Sequence, residues 1–288
     1  MPRRSLLATS DLHVTHQGNA EMVDRIRPDT DEDWLIVAGD VAETVPAIEA
    51  TLTLFAGRFA KVIWTPGNHE LWTVKSDPVQ LRGEQRYDHL VEVCRSLGVV
   101  TPEDEYPVWE TDSESFVVAP LFLLYDYSFR EPDLSLDEAL RRAYEMGLVF
   151  TDEHVLHPDP HPSRQEWCRT RVELTERRLA AIPEHLRTVL ITHFPLHRGP
   201  TRMLRYPHLA MWCGTERTAD WHLRFRAAVA VYGHLHIPLT LEYDGVRFEE
   251  VSLGYPREWR QRPRPPWPFR RILPADPDRL PYNRGAAA

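Results

Sequence analysis

Five short apolar segments, each followed by residues that can bind a metal ion, constrain this fold more than any other feature. The clearest of them runs from Trp34 to Ala38 and is followed by Gly39 and Asp40. Short apolar runs that end at Gly, Pro or Asp are typical of buried strands. The same arrangement recurs in segments 6–10, 61–65, 188–192 and 228–232. Because open α/β sheets place ligands beyond the carboxyl ends of their strands, we predict that these five ends meet at one site.

The residues that follow these segments are candidate metal ligands. In chain order they are Asp11, His13, Asp40, Asn68, His193, His234 and His236, with His69 directly beside Asn68. Asp11 and His13 share a face of an extended segment, as do His234 and His236, because they are two positions apart. A set of oxygen and imidazole donors suits manganese, iron or zinc better than calcium or magnesium, and a set without thiolates is typical of catalytic sites. Each piece alone has a simpler explanation as a turn or a chance pair, but the ordered set argues for two ions bridged by Asp40.

The composition of the chain argues against several classes of protein. A chain of 288 residues with 42% hydrophobic residues can bury a sizeable core. A net charge of −9 argues against a general nucleic-acid binder. The three cysteines are odd in number and widely spaced, which predicts neither a disulfide framework nor a zinc knuckle. No apolar stretch approaches the roughly 18 residues of a membrane span, and no signal peptide is evident, so we expect a cytoplasmic protein.

The periodicity of the chain predicts alternating strands and helices. The order strand, helix, strand, helix, strand over residues 5–65 indicates a sheet with parallel neighbours. Ser135 with Glu138 and Ser163 with Glu166 are capping-box signals for helix starts. Asp244-Gly245 is a strong hairpin signal. Helices are predicted over about 20–26, 45–59, 87–97, 135–147 and 163–182.

The chain divides by composition into a main domain and a tail. We predict that residues 1–254 form the domain and that 126–165, which is rich in proline and histidine, forms a lid over the strand ends. The tail, residues 255–288, has eight prolines and eight arginines against three acids from Pro256 onward. It is expected to wrap the surface as extended chain or to be partly disordered.

Taken together, these motifs resemble the calcineurin-like metallophosphoesterase superfamily. The resemblance rests on Asp11-x-His13, Gly39-Asp40, Gly67-Asn-His-Glu70, His193 and Gly233-His-x-His236, and it spans residues 11 to 236. It implies an α/β fold in which two mixed β-sheets form a sandwich flanked by helices (αββα). It also implies two ions, one held by Asp11, His13, Asp40 and His236, the other by Asp40, Asn68, His193 and His234. In this family pattern His69 faces the substrate and assists the leaving oxygen.

One departure from the family pattern concerns Glu43. The protein Ser/Thr phosphatase branch has Gly-Asp-x-Val-Asp-Arg-Gly, whereas this chain has Gly39-Asp40-Val-Ala-Glu43-Thr-Val. The missing arginine argues against protein phosphatase activity. Glu43 is a candidate catalytic residue that orients His69 by accepting its ring proton. The alternative is an acidic residue favoured near a helix start by the helix dipole.

Four further residues are candidates for substrate binding. Arg198, Arg202 and Arg205 follow His193 in a loop and can clamp a phosphate or a carboxylate, although a solvated basic loop explains them equally well. Tyr125 can stack on a base or a sugar, or pack in the core.

The site predicts a phosphoric ester hydrolase that depends on two divalent ions. A hydroxide that bridges the metals would attack a small phosphomonoester or a phosphodiester, with manganese or iron as the favoured metals. One alternative is a DNA or RNA nuclease built on the same centre. Another is a binding scaffold that retains the fold without turnover.

Overall fold

The computed structural model describes residues 4–111, 114–148, 150–262 and 268–276. The first sheet has the strand order β10-β1-β2-β3. Its strands are β1 (Leu6–Thr9), β2 (Trp34–Val37), β3 (Lys61–Trp64) and β10 (Arg270–Leu273). The strands β1, β2 and β3 are parallel, as their strand–helix alternation predicts, and β10 runs antiparallel to β1.

The second sheet has the strand order β4-β5-β6-β7-β9-β8. Its strands are β4 (Val108–Glu110), β5 (Ser115–Pro120), β6 (Arg187–Ile191), β7 (Ala227–Tyr232), β8 (Thr240–Tyr243) and β9 (Val246–Glu250). Its inner strands β5, β6, β7 and β9 are parallel, and antiparallel pairs lie at both edges. The β8–β9 hairpin turns at Asp244-Gly245, as predicted.

The two sheets pack face to face because successive side chains of a strand point to opposite sides. One face of each sheet contributes to a shared core, in which Leu6, Ala8 and Ile36 lie in the same cluster as Val118 and Val229. The alternate residues, such as Leu7 and Leu190, belong to a second cluster that also includes helix residues. The predicted sandwich of two mixed sheets flanked by helices is therefore confirmed.

The helices follow the predicted order, with shifted ends. They are α1 (Asn19–Asp24), α2 (Val45–Ala56), α3 (Gly83–Ser96), α4 (Leu136–Glu145), α5 (Asp152–Val155), α6 (Arg164–Ala180), α7 (Trp221–Arg224) and α8 (Pro256–Trp259). Ser135 and Glu138 form the expected capping box, and the Ser163 hydroxyl accepts the backbone N–H of Glu166. The helix expected from residue 87 begins four residues earlier, at Gly83.

The segment 126–165 contains α4 and α5 and reaches the strand ends at two points. Asp152 is buried and accepts a hydrogen bond from the Asn68 amide at 2.9 Å. The Phe150 ring lies 6.1 Å from the ring of His234. The segment is therefore built into the site on one side, and its function as a lid stays a prediction.

The tail, expected to be extended surface chain or partly disordered, has regular structure in two stretches, a helical turn and a strand that is part of a sheet. The strand β10 completes the first sheet, where Ile272 is fully buried, and α8 begins at Pro256, two residues after Gly254. The alternation of Arg271 and Ile272, exposed and buried, is a strand pattern that the surrounding prolines obscured. Residues 263–267 and 277–288 of the predicted tail lie outside the described residues.

Candidate metal and catalytic site

The loops that follow β1, β2, β3, β6 and β7 bring the predicted ligands together. Five of these residues have left-handed backbone conformations, which are unfavourable for residues other than glycine. Their φ values are 51° for Asp11, 40° for His13, 55° for Asp40, 69° for His234 and 55° for His236. Backbone strain of this kind clusters at functional sites, because surrounding contacts must hold it in place.

Asp11, His13 and His236 form the first group of donors. His236 Nε2 lies 2.9 Å from Asp11 Oδ1 and 3.3 Å from His13 Nε2. The other oxygen of Asp11 accepts the hydroxyls of Ser10 at 2.6 Å and Ser252 at 2.7 Å. The carboxylate is therefore held by one oxygen and presents the other to the two imidazoles.

Asp40, Asn68, His193 and His234 form the second group. His193 Nε2 lies 3.4 Å from Asp40 Oδ2, 3.2 Å from Asn68 Oδ1 and 3.2 Å from His234 Nδ1. The carbonyl oxygen of Ala38 lies 2.9 Å from His193 Nδ1. Since a carbonyl oxygen only accepts, Nδ1 carries the proton and Nε2 faces the group with its lone pair.

Glycines allow the strand ends to approach this closely. A Cβ atom on Gly67 would lie 2.1 Å from Asp40 Oδ1, and one on Gly39 would lie 2.7 Å from His193 Nδ1. A Cβ atom on Gly233 would lie 2.0 Å from the Ser10 hydroxyl. Each of the three glycines therefore leaves room for a polar group at the site.

The donor set fits a pair of divalent metal ions. The donors are nearly all buried, with Asp11, Asp40 and His193 each at most 2% exposed. Buried carboxylates that converge with imidazole nitrogens, without lysine or arginine among them, need a cation to offset their charge. Asp40 Oδ2 lies 3.4 Å from His193 Nε2 in one group and 4.0 Å from His13 Nε2 in the other. Imidazole and carboxylate donors suit manganese, iron or zinc.

His69 and Glu43 lie beside the two groups and contact each other. His69 Nδ1 is 3.1 Å from Glu43 Oε1, and Thr15 donates its hydroxyl to the other Glu43 oxygen at 2.7 Å. Burial alone would lower the pKa of His69, but the charges of Asp40 and Glu43 outweigh it and raise that pKa above its ordinary value. The Trp72 ring stacks on His69 at 3.6 Å. These contacts hold the His69 imidazole at the edge of the site, although Glu43, His69 and His13 also lie close enough together to bind a cation.

Three acids that were not predicted as site residues hold this arrangement in place, and of these Asp152 and Glu70 are fully buried whereas Glu258 is partly exposed. Asp152 accepts the Asn68 amide, the Trp72 indole at 2.6 Å and the Tyr125 hydroxyl at 2.9 Å. Glu70 accepts three backbone N–H groups, those of Asp40 at 2.8 Å, Val41 at 2.8 Å and Gly67 at 2.9 Å. Glu258 Oε2 lies 2.7 Å from His236 Nδ1. Of the three, only Glu70 belongs to a motif from which a role at the site could have been predicted, since it ends Gly67-Asn-His-Glu70.

An open cleft of about 590 Å³ gives access to the site next to His69. The inner residues of the cleft are Glu43, His69 and Trp72. The outer residues come from the loop after β1 and from the segment after Gly254, and they are His16, Gln17, Tyr255, Pro256, Arg257 and Arg260. The start of the predicted tail therefore forms one wall of the cleft.

The residues predicted to bind substrate lie elsewhere. The lining of this cleft, as far as the structure describes the chain, includes none of Arg198, Arg202 and Arg205. Arg202 and Arg205 are exposed, and Arg205 lies over the Tyr206 ring. Tyr125 is 1% exposed with its hydroxyl on Asp152, so in this structure it packs in the core and is closed to a substrate.

Comparison with known proteins identifies the class to which this site belongs. Residues 4–238 match the family described as calcineurin-like phosphoesterase. The chain therefore belongs to the calcineurin-like phosphoesterases, and it is a metal-dependent hydrolase of phosphoric esters.

Within this family, the chain is similar to one particular protein, both in sequence and in structure. The chain is 52% identical over 278 residues to the [acyl-carrier-protein] phosphodiesterase PptH of Mycobacterium tuberculosis, covering 96% of this chain and 85% of that protein. It is also similar to the crystal structure of the phosphopantetheinyl hydrolase PptH from Mycobacterium tuberculosis. That match has a TM-score of 0.93 and 51% identity, and it covers 97% of this chain and 99% of the other.

Proposed function

We propose that this chain hydrolyses the phosphodiester that joins phosphopantetheine to an acyl carrier protein. The observation that carries the proposal is the 52% identity to an acyl-carrier-protein phosphodiesterase over 96% of the chain. The substrate is then a phosphorylated group on a protein, which is broader than the small phosphorylated molecule that the motifs suggested. The cleft beside His69 is open, which suits an ester that projects from a larger partner.

We propose two ions, with Asp40 as the ligand they share. Asp11, His13 and His236 would hold one, and Asn68, His193 and His234 the other. Divalent ions in such a pair lower the pKa of a water molecule and neutralise charge on the phosphoryl oxygens. Manganese or iron remains our preference among the metals that this donor set accepts.

The role we propose for His69 is that of a general acid for the leaving oxygen. The leaving group from a seryl phosphodiester is an alkoxide, which needs a proton as it departs. His69 lines the cleft, and Glu43 orients its ring through Nδ1, so that Nε2 faces the site 3.7 Å from Asp40. The proton passes from His69 Nε2 to the serine oxygen, and the ring recovers it from solvent through the open cleft.

Two features of the chain concern its location, the apolar character of its helices and the state of its cysteines. No helix among the described residues is long and apolar enough to cross a membrane. The cysteines Cys94, Cys168 and Cys213 are free and buried, which supports the predicted cytoplasmic location because thiols persist in reducing compartments.

Intact-mass spectrometry of a phosphopantetheinylated acyl carrier protein tests this function. With manganese present, the wild-type chain should return the carrier to the mass of its unmodified form and release phosphopantetheine. In water enriched in ¹⁸O the label should enter the phosphopantetheine, since the attack is at phosphorus. The Asp40→Ala variant is the control and should leave the carrier unchanged. An intact carrier, under conditions in which the same preparation hydrolyses bis(4-nitrophenyl) phosphate, would refute the proposed substrate.

A further inference from the structure

Two arginines at the outer wall of the cleft, Arg257 and Arg260, form no ion pair with an acid among the described residues. Arg257 and Arg260 both line the cleft and are both exposed. Within the described residues, no carboxylate oxygen lies within 4.0 Å of either guanidinium group. Other arginines of the chain are paired, for example Arg86 with Asp77 at 2.8 Å and Arg171 with Glu103. Arg257 acts electrostatically on the neighbouring Glu258. In the part of the chain that the structure describes, neither guanidinium group is held in an ion pair, so both can form one with a ligand at the entrance of the cleft.

Aromatic rings hold both guanidinium groups at the wall. Arg257 lies over the Tyr255 ring at 5.3 Å, and Arg260 lies over the Trp259 ring at 5.2 Å. The Trp259 indole donates to Asn19 Oδ1 at 2.9 Å, which anchors that ring to the main domain. Cation–π contacts of this kind reduce the rotamer freedom of an arginine, so less entropy is lost when it binds an anion.

The wall is also fixed relative to the catalytic residues. Tyr255 stacks on His13 at 4.4 Å, and Glu258 contacts His236. The segment 255–260 is therefore held against the metal ligands, and its cations line the same cleft as His69.

We propose that Arg257 and Arg260 bind acidic side chains on the protein that carries the ester. This inference rests on the proposed function, because it assigns the outer part of the cleft to the protein portion of that substrate. With the phosphodiester at the metal ligands, the carrier would remain at the entrance, where two guanidinium groups complement carboxylates on its surface. The chemistry is that of charge-assisted pairs at a solvent-exposed rim, which mainly affects association and selectivity.

The test measures inhibition by a peptide, so it does not require the carrier protein. An aspartate-rich octapeptide and a serine–glycine octapeptide are compared as inhibitors of bis(4-nitrophenyl) phosphate hydrolysis at low ionic strength. The acidic peptide should inhibit the wild-type chain competitively, and its inhibition constant should rise about threefold to tenfold in Arg257→Gln/Arg260→Gln, as expected for two exposed pairs. Arg257→Lys/Arg260→Lys should keep that constant within about twofold, since it retains both charges. Added salt should weaken inhibition of the wild-type chain.

The matched control is Arg25→Gln/Arg177→Gln, which removes two exposed arginines outside the cleft lining and should not change the inhibition constant. Metal content is measured for every variant, so that a misfolded protein is recognised. An equal inhibition constant in wild type and the Gln double variant would overturn the inference. So would inhibition by single-stranded oligothymidylate at lower concentrations than the acidic peptide, since the wall would then prefer a nucleic acid.

The two proposals fail in different ways. If the carrier is cleaved but the Gln double variant cleaves it with an unchanged KM, the proposed function stands and this inference is wrong. If the carrier is not cleaved but inhibition by the acidic peptide depends on the two arginines, the proposed function is wrong. The recognition of an acidic protein surface then stands.

Discussion

Replacement of Glu258 by Gln tests whether the segment after Gly254 holds a metal ligand in position. Glu258 Oε2 lies 2.7 Å from His236 Nδ1 and accepts the backbone N–H of Tyr255 at 2.9 Å. A carboxylate on the outer nitrogen of a ligating imidazole fixes the ring and makes its inner nitrogen a better donor. Gln keeps the shape of the side chain and an oxygen that can accept the Tyr255 N–H, so the main change is the loss of negative charge beside His236.

The size of the effect follows from the exposure of Glu258. Loss of such an outer contact usually weakens metal binding about 10-fold to 100-fold, or about 1.4–2.7 kcal/mol. The Glu258 side chain is 32% exposed, so water replaces part of the lost interaction. We therefore expect about a 10-fold weaker affinity for one manganese ion in Glu258→Gln, and a larger loss in Glu258→Ala, which leaves His236 Nδ1 without its partner.

Isothermal titration calorimetry, in which manganese is added to the metal-free protein, measures this affinity. Glu105→Gln removes a charge from an exposed acid and is the control. The reasoning is refuted if Glu258→Ala binds both ions as tightly as wild type, or if Glu105→Gln loses as much affinity as Glu258→Gln.

Three other perturbations address the site directly. His69→Ala should retain both ions. Its turnover of an alkyl phosphodiester should fall about 10²–10⁴-fold, and its turnover of an aryl ester should fall much less. An equal loss for both esters in steady-state kinetics would show that His69 does not act as an acid. Asp152→Ala should lower the free energy of unfolding by about 3 kcal/mol, because it leaves the donors of Asn68, Trp72 and Tyr125 unpaired. A decrease of less than about 1 kcal/mol in urea denaturation would contradict this. Removal of the metals by a chelator should lower Tm by about 5 °C for each ion, relative to protein with free metal at 100 times Kd, because each site then contributes about 2.7 kcal/mol. An unchanged Tm in calorimetry would indicate that no ion binds the folded chain.

The sequence predicted the parts of the fold whose pattern is local. The apolar runs that became β1, β2 and β3 end in Gly or polar residues, and the structure has all three in parallel. The ligands that follow them were predictable because parallel strands carry their carboxyl ends to the same edge. Helix starts marked by a capping box, such as Ser135, were located to the residue.

The parts that the sequence did not predict depend on contacts between distant residues. Asp152 meets Asn68 across 84 positions, and nothing near Asp152 distinguishes it from other acids in its segment. Strand β10 has four residues among prolines and arginines, and it is a strand because β1 offers it an open edge. Proximity in sequence can also mislead. Arg198, Arg202 and Arg205 follow the ligand His193 closely, but they are not among the residues that line the cleft.

The wall of the cleft shows why composition alone misleads. A segment rich in proline and arginine is typical of a disordered tail. Here Pro256 begins a helical turn, where its missing N–H costs nothing, and Tyr255 and Trp259 anchor that turn on His13 and Asn19. Contacts with distant residues, which the composition of the segment does not reveal, hold it in this conformation.

Anomalous diffraction from crystals of the manganese-loaded protein, recorded at the manganese edge, tests the central claim most directly. We predict two peaks, one among Asp11, His13 and His236 and the other among Asn68, His193 and His234, with the Asp40 carboxylate in contact with both. A single peak, or two peaks of which only one contacts Asp40, would contradict the bridged pair of ions from which the proposed hydrolysis follows.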